Sequence, residues 1–195
     1  LGGAGRSGQA ALYRHFLHRL RGARLVLAPS RETADDAVRL AGVAPERVRV
    51  VPWGAPAAVA PEGPAPEGPY VLYAGAIEPH KNAGLAVEAI AAARPGIRLV
   101  MAGPWSRRRA ARLRAHAARV GAEGRVDWLG LLSPGRLAAV RAGAVAVLVP
   151  SRKEGFGLPV LEAMAAGVPV LAADTPALRE VGGGAAAYLP LADPG

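Results

Sequence analysis

Cysteine is absent from the 195 residues, which excludes disulfides, thiolate zinc sites and a cysteine nucleophile. Histidine is scarce, with four residues scattered along the chain, so a histidine-rich metal site is not expected either. The chain also lacks any apolar run near the roughly 18–20 residues that cross a bilayer, and its best apolar stretch, residues 142–150, is far shorter. These absences, together with the lack of a signal-peptide pattern, lead us to expect a cytoplasmic protein.

Lysine is the next scarce residue: of the 24 basic residues, only Lys81 and Lys153 are not arginine. The formal net charge of +9 favours anionic partners without choosing among them. The arginines of residues 106–120 have no ladder of aromatic residues for base stacking, so we interpret them as a solvated helix face and expect no nucleic-acid partner. An amphipathic helix at 12–21 has a basic face that suits an anionic membrane surface. Peripheral membrane contact through this helix is therefore one alternative, and packing of its apolar side on a core is the commoner one.

Apolar strands alternate with helical segments from Tyr70 onward. Before that point, residues 52–69 contain six prolines and three glycines, which predicts a linker without packed elements. Residues 1–51 carry only a helix, two short strands and a second helix, which we interpret as a partial α/β domain. Residues 70–195 show the pattern of a doubly wound parallel sheet, whose ligands bind at the carboxyl ends of the strands. Strands are predicted at 70–75, 97–103, 126–130, 144–150, 168–173 and 186–190, with helices at 83–94, 106–120, 134–142, 159–166 and 176–181.

The most informative segment is residues 150–166, with the sequence PSRKEGFGLPVLEAMAA. It follows a strand, and Gly155 and Gly157 let backbone amides approach a ligand closely at the start of the next helix. Glu154 lies in the loop, and Glu162 lies about one turn inside the helix, where the helix N-terminus favours its ionised form. Either glutamate alone is typical of an ordinary surface residue. The whole segment favours a site for an anionic or hydroxyl-rich ligand, because carboxylates at these two places can accept hydrogen bonds from ligand hydroxyls.

The same segment resembles the signature of the group 1 glycosyltransferases, retaining enzymes of the GT-B fold that use nucleotide-sugar donors. The signature is a glutamate, seven residues and a second glutamate, here Glu154 and Glu162. The resemblance covers roughly residues 24–195. It implies a Rossmann-like donor-binding domain, the C-terminal half of the GT-B fold, preceded by the end of the N-terminal acceptor domain. Other stretches resemble segments of the family in the same order: AGAIEPHKN (74–82), LVMAGPW (99–105), RVDWLG (125–130) and PALREV (176–181).

The resemblance implies a role for each matched residue. Lys81 would contact the donor diphosphate, and Glu154 would hold donor-sugar hydroxyls and support an oxocarbenium-like transition state. Glu162 would bind the ribose diol. No metal or other cofactor is implied, since the nucleotide-sugar is a substrate. The remaining donor contacts would be backbone amides around the sugar and phosphates, from Gly155, Phe156, Gly157 and Leu158, and a residue near the base, Leu131.

The implied reaction transfers a hexosyl unit with retention from a UDP- or GDP-sugar to a glycan, polysaccharide or lipid-linked acceptor. The loop EPHKN, with His80 as its variable member, is similar to that of a subgroup and favours GDP-mannose. Ala76 stands where many members have arginine, so Lys81 would have to neutralise more of the diphosphate charge. Lys153 occupies a variable position of the family.

Residues 1–51 are too few for an acceptor domain, and few residues follow Leu189, so we expect the donor-binding half of a longer enzyme. Two other functional classes stay open. One is a catalytically incomplete nucleotide-sugar-binding module that needs a partner domain, and the other is a nucleic-acid-binding protein, motivated by charge alone. An epimerase of the same fold is a further alternative, but no motif in the chain supports it.

Overall fold

The structure, a computed structural model, describes residues 15–191, which fall into two compact units that meet between Gly54 and Ala55. The first unit pairs two short parallel strands. Buried Ser30 accepts a hydrogen bond from the backbone N–H of Thr33 and so begins the longer helix, which ends at the left-handed Gly42. Its elements are helix α1 (15–20), strand β1 (Val26–Ala28), helix α2 (Arg31–Ala41) and strand β2 (Val48–Val50). Residues 12–14 of the predicted first helix lie outside the described range.

The second unit is built on a six-stranded, wholly parallel sheet. Its strands are β3 (Tyr70–Ala74), β4 (Arg98–Ala102), β5 (Val126–Gly130), β6 (Ala146–Val149), β7 (Val170–Ala173) and β8 (Ala186–Leu189). They lie in the order β5-β4-β3-β6-β7-β8, which is the order of a dinucleotide-binding sheet. The predicted doubly wound α/β architecture is therefore confirmed.

Helices cover both faces of this sheet, because each parallel connection must cross back over it. The helices are α3 (Ala83–Ala92), α4 (Arg107–Arg119), α5 (Pro134–Ala142), α6 (Leu158–Ala165) and α7 (Pro176–Gly182). One apolar layer contains Val87 of α3 and Leu113 of α4. The other contains Val140 of α5, Val160 of α6 and Leu178 of α7. The four central strands, β4, β3, β6 and β7, are thus largely buried on both sides, which explains why they are continuous apolar runs rather than alternating ones.

The order of strands reverses between β3 and β6, and their carboxyl ends form the crevice where ligands bind in such sheets. The backbone beside this crevice is closely packed. A Cβ atom placed on Gly103, at the end of β4, would lie 2.2 Å from the carbonyl oxygen of Gly75, at the end of β3. Gly103 also has φ +144°, so only glycine fits there without strain.

Residues 51–69 contain neither helix nor strand. Part of this segment nevertheless contacts α5: the N–H of Glu62 donates to the carbonyl of Gly135 at 2.9 Å, and Arg136 donates to the carbonyl of Pro64. A Cβ on Gly135 would lie 2.3 Å from the carboxyl carbon of Glu62, so the exposed Glu62 side chain would have to move to accommodate it. From Ala55 onward the segment belongs to the second unit. Within residues 15–191 no helix is long and apolar enough to cross a membrane.

Candidate active site

The crevice between β3 and β6 brings together Lys81 and Glu154, two residues that are 73 positions apart in the sequence. Lys81 ends a short 3-10 turn after β3, and Glu154 lies in the loop between β6 and α6. The Lys81 Nζ atom lies 2.7 Å from Oε1 and 2.8 Å from Oε2 of Glu154. The Glu154 side chain is 8% exposed and that of Lys81 is 24% exposed. The ammonium and the carboxylate therefore neutralise each other at the edge of a nearly closed cleft.

The two loops are also joined through their backbones. The N–H of Arg152 donates to the carbonyl of His80 at 2.8 Å, one residue before the lysine and two residues before the glutamate. Asn82, which begins α3, has a left-handed backbone with φ +53°. This turn reverses the chain so that Lys81 points back toward β6 rather than into the helix. The ion pair is consequently fixed from both sides before any ligand is present.

Tyr73 forms the wall of the cleft beside Glu154. Its ring is buried, and its hydroxyl donates to the carbonyl of Ala76 at 2.7 Å. Burial, with a smaller contribution from the negative charge of Glu154, raises the pKa of Tyr73 above its ordinary value. The phenol therefore stays protonated and continues to hold the start of the loop that carries Lys81.

The first turn of α6 supplies backbone donors close to this pair. Gly157 precedes the helix with φ +108°, and a Cβ there would lie 3.0 Å from the Leu178 side chain, so the position requires glycine. Within residues 15–191, the N–H groups of Gly157 and Leu158 donate to no acceptor. Phe156 is buried beneath the loop, whereas Gly155 is exposed. An anion or a hydroxyl oxygen can be bound by such free amides at a helix start.

Glu162, the second glutamate of the motif, is bound by a residue of α5. The Nη2 atom of Arg141 lies 2.5 Å from Oε2 of Glu162, with side-chain exposures of 13% and 29%. Both residues line a cavity of about 370 Å³ between α5, α6 and part of residues 56–61. Lys81 and Glu154 line a different, smaller cleft. The structure therefore places the two glutamates in neighbouring but separate subsites.

The remaining sequence-predicted residue, Leu131, lies just after β5 and is 76% exposed. It lines neither the cleft of Lys81 nor the cavity of Glu162. The variable Lys153 is exposed as well. Thus the structure joins Lys81 to Glu154, holds the α6 amides beside them, and leaves Leu131 as a free apolar side chain at the same edge of the sheet.

Three residues of the site were not predicted from the sequence. Arg141 is one of many arginines, and nothing local marks it as the partner of Glu162. Ser151 is 2% exposed and lines the cleft, but a serine after a strand is common in any loop. Tyr73 offered a signal: a tyrosine inside a continuous apolar strand must find a partner for its hydroxyl, which indicates a structured polar neighbour.

The geometry has a clear chemical character. A fixed cation, a carboxylate that accepts hydrogen bonds and free helix-start amides meet at the switch point of the sheet. Such a set suits a ligand that carries both anionic and hydroxyl groups. Among the residues that the structure describes, no three histidine, cysteine or acidic side chains are grouped as metal ligands.

A sequence profile of one family, described as "Glycosyl transferases group 1", matches residues 57–185. The chain belongs to this family. The profile spans both site loops, so the Lys81–Glu154 pair and Glu162 lie within the matched region of this group 1 glycosyltransferase.

Individual relatives agree with the family assignment. The chain is 35% identical over 160 residues to the D-inositol 3-phosphate glycosyltransferase of Acidothermus cellulolyticus, covering 72% of the chain and 36% of the relative. It is 30% identical over 180 residues to the O-antigen chain mannosyltransferase B of Escherichia coli, covering 84% of the chain and 46% of the relative. The chain thus spans less than half the length of these two relatives.

The fold also matches that of a protein of known structure. The Anabaena protein HepE, crystallised in complex with UDP and glucose, superimposes with a TM-score of 0.73 at 22% identity, covering 86% of this chain and 50% of HepE. At this identity the likeness concerns the fold. It confirms that the parallel sheet of the second unit is that of a GT-B glycosyltransferase.

Proposed function

We propose that this chain is the donor-binding half of a retaining glycosyltransferase, which moves a hexosyl unit from a UDP- or GDP-sugar to a glycan, polysaccharide or lipid-linked acceptor. The Lys81–Glu154 pair at the switch point carries the proposal. As the bond from the sugar to the diphosphate breaks, negative charge grows on the leaving phosphate, and a fixed ammonium stabilises it. The carboxylate of Glu154 accepts hydrogen bonds from sugar hydroxyls and stabilises positive charge on the sugar ring.

In the proposed reaction the bond from the anomeric carbon to the diphosphate oxygen breaks. A bond to the acceptor hydroxyl oxygen forms on the same face of the sugar, and the leaving phosphate takes the hydroxyl proton. Lys81 is the only cation among the described residues that line the cleft. The proposal therefore assigns the offset of leaving-group charge to Lys81 and includes no metal.

The proposed donor subsites follow from the geometry around α6. The free amides of Gly157 and Leu158 face the sugar and phosphates, together with the backbone of Gly155 and Phe156. Glu162 binds the ribose diol, and its carboxylate is held in place by Arg141. The base lies near Leu131, whose exposed side chain is free to pack against it.

Two observations favour different donor bases. The loop EPHKN and the relative named as a mannosyltransferase favour GDP-mannose. The HepE complex contains UDP and glucose, which favours a uridine donor. We propose GDP-mannose first and a UDP-hexose second.

A nucleotide-sugar-binding module that needs a separate partner domain is the second candidate. Apolar side chains of the first unit are exposed, with Leu27 62% and Trp53 52% exposed, as expected for a surface that another polypeptide covers. Purified chain that binds donor but transfers no sugar to any acceptor would favour this candidate. Transfer of labelled sugar to an added acceptor would eliminate it.

We place the protein in the cytoplasm, in agreement with the absence of cysteine. Peripheral contact with a membrane through the basic helix at 12–21 belongs to the proposal, and the first residues of that helix lie outside the described range. We propose no nucleic-acid partner.

Thermal unfolding in the presence of UDP, GDP, ADP and their sugars tests the donor site. A ligand at about 100 times its dissociation constant adds roughly 2.7 kcal/mol to the free energy of unfolding, which shifts Tm by about 5–11 °C in a chain of this size. We expect one nucleotide to give this shift. Glu162→Gln should remove most of it, because the ribose diol loses a charged carboxylate with two acceptor oxygens and meets an amide with one acceptor oxygen and a donor NH2 group.

Glu67→Gln is the matched control, since it makes the same chemical change on an exposed loop residue outside both subsites. It should keep the nucleotide shift. A folded protein that no nucleotide stabilises would contradict the proposed donor site. Equal loss of the shift in both glutamine variants would contradict the role of Glu162.

A further inference from the structure

Helix α4 has a solvent face that the donor site does not use. Six of its thirteen residues are arginine, and no aspartate or glutamate occurs in it. Its buried side consists of Ala110, Leu113 and Ala117, which pack in the apolar layer under the sheet. All six arginines lie outside this buried stripe.

The arginines that point furthest from the core form a row. At 3.6 residues per turn, Arg108, Arg112 and Arg119 project within about 40° of one another, opposite the buried stripe. The row is about 17 Å long. Exposed alanines at 111, 115 and 118 lie between and beside these arginines, so no bulky or acidic side chain lies between the guanidinium groups. We call Arg108, Arg112 and Arg119, with these alanines, the arginine row.

The positive charge of this face is not neutralised within the protein. Among residues 15–191, the side chains of Arg107, Arg108 and Arg112 make no hydrogen bond and no ion pair. Arg119 contacts only Nδ1 of His116, at 3.1 Å, which brings no negative charge. Long guanidinium side chains without acidic partners are available to an external polyanion.

The acidic residues nearby are few and lie at the flank of the row. Glu78, from the loop before α3, binds Arg109, and Glu88 of α3 lies 2.8 Å from His116. The first contact joins α4 to the loop before α3, and the second joins α4 to α3 itself. Arg114, on the other flank, lies over the Trp128 ring at 5.0 Å. Arg109, His116 and Arg114 are therefore occupied, whereas the arginine row is left for a partner.

We propose that the arginine row binds the headgroups of an anionic phospholipid bilayer. A bilayer presents a broad negative plane, which complements a straight row on a convex helix face and lets flanking Arg107 reach it as well. The row has no aromatic residue to stack on bases, which a single-stranded nucleic acid would use. It also has no apolar side chain to enter the acyl region, so the attraction is electrostatic, reversible and sensitive to salt.

Co-sedimentation of the full chain with vesicles tests this inference. The probes are vesicles of phosphatidylcholine alone and of phosphatidylcholine mixed with phosphatidylglycerol. We expect binding to the mixed vesicles only, and a steep fall as salt rises above about 0.1 M. The triple variant Arg108→Gln, Arg112→Gln and Arg119→Gln should bind the mixed vesicles roughly a hundredfold more weakly, because each arginine contributes about fivefold. Glutamine keeps the helix propensity of α4, so the variant should fold.

A second triple variant controls for net charge alone. The substitutions Arg24→Gln, Arg47→Gln and Arg94→Gln remove the same charge from exposed positions that are not part of α4. It should retain most of the vesicle affinity. Equal weakening in both triple variants would overturn the inference, as would failure of the wild-type chain to bind the mixed vesicles. Tighter binding to duplex DNA than to vesicles at the same salt, lost in the α4 variant, would overturn it in favour of a nucleic acid.

Discussion

Replacing Lys81 by methionine removes the ammonium that lies 2.7 Å and 2.8 Å from the two oxygens of Glu154. The carboxylate, 8% exposed, is then buried without a counter-ion. Removing one partner of a buried pair costs about 3–5 kcal/mol. Because the Lys81 side chain is 24% exposed and water can enter where it leaves, we expect the lower end, about 3 kcal/mol. In a chain of this size that lowers Tm by about 6–12 °C.

The double variant Lys81→Met with Glu154→Gln tests the cause of that loss. Both charges are then absent, so the uncompensated carboxylate that destabilises the single variant no longer exists. We expect the double variant to recover about 2 kcal/mol relative to the sum of the two single variants. The free energies come from urea unfolding of all four proteins, followed by tyrosine and tryptophan fluorescence.

Lys153→Met is the control, because it removes the chain's other lysine, which is exposed in the loop that carries Glu154. We expect it to change stability by less than about 0.5 kcal/mol. The reasoning is refuted if Lys81→Met costs less than about 1 kcal/mol, or if the two single changes add without interaction. Either result would mean that water solvates the Lys81–Glu154 contact and that this ion pair does not stabilise the site.

Two further predictions concern positions outside the ion pair. Gly103→Ala should lower the free energy of unfolding in urea by about 3 kcal/mol, because its Cβ would lie 2.2 Å from the carbonyl oxygen of Gly75. The control Gly96→Ala should lower it by about 1 kcal/mol, because Gly96 has φ +92° but no atom within 4 Å of the added Cβ. Equal losses in the two variants would contradict the close approach of Gly103 to Gly75. The hydrogen bond from Arg179 lowers the pKa of Asp174. The pair therefore stabilises the folded protein at pH values above the ordinary aspartate pKa of ~3.9, and this stabilisation is lost as the pH falls through the lowered pKa. The Tm of Asp174→Asn should therefore lie below that of the wild type near neutrality and converge with it in acid, and a difference that does not change with pH would count against the pair.

Much of the second unit could be predicted from the sequence because its signals are local. The apolar run at 97–103 and the helix-start serine at 106 mark β4 and α4 without knowledge of the rest of the chain. The same holds for Gly157 with Pro159, which predicts the start of α6. Boundaries shift where a neighbouring residue intervenes: α3 ends at Ala92 rather than 94, since Ala93 is already extended ahead of Pro95.

Lys81 and Glu154 were expected in one donor site because the family resemblance implied it, but their direct ion pair was not predicted from the sequence. The partner of Glu162 was not predicted either. Arg141 comes from a different helix, and the distance between the two residues is set by how α5 packs on α6, which no local pattern encodes. The contact of Glu62 with Gly135 is another case, because a proline-rich segment has no periodicity from which docking can be predicted.

The position of the ion pair has a consequence for how the site assembles. Lys81 belongs to the part of the unit that precedes β6 in the sequence, and Glu154 to the part that follows it, so the two parts meet at the β3–β6 boundary, where Leu72 pairs with Val147. Neither part contains a complete site. If the chain were divided in the connection after β5, the two fragments would each bind donor poorly, and recovery of nucleotide binding on mixing would report that the sheet had closed along this boundary. The site is thus a property of the joined sheet rather than of either loop.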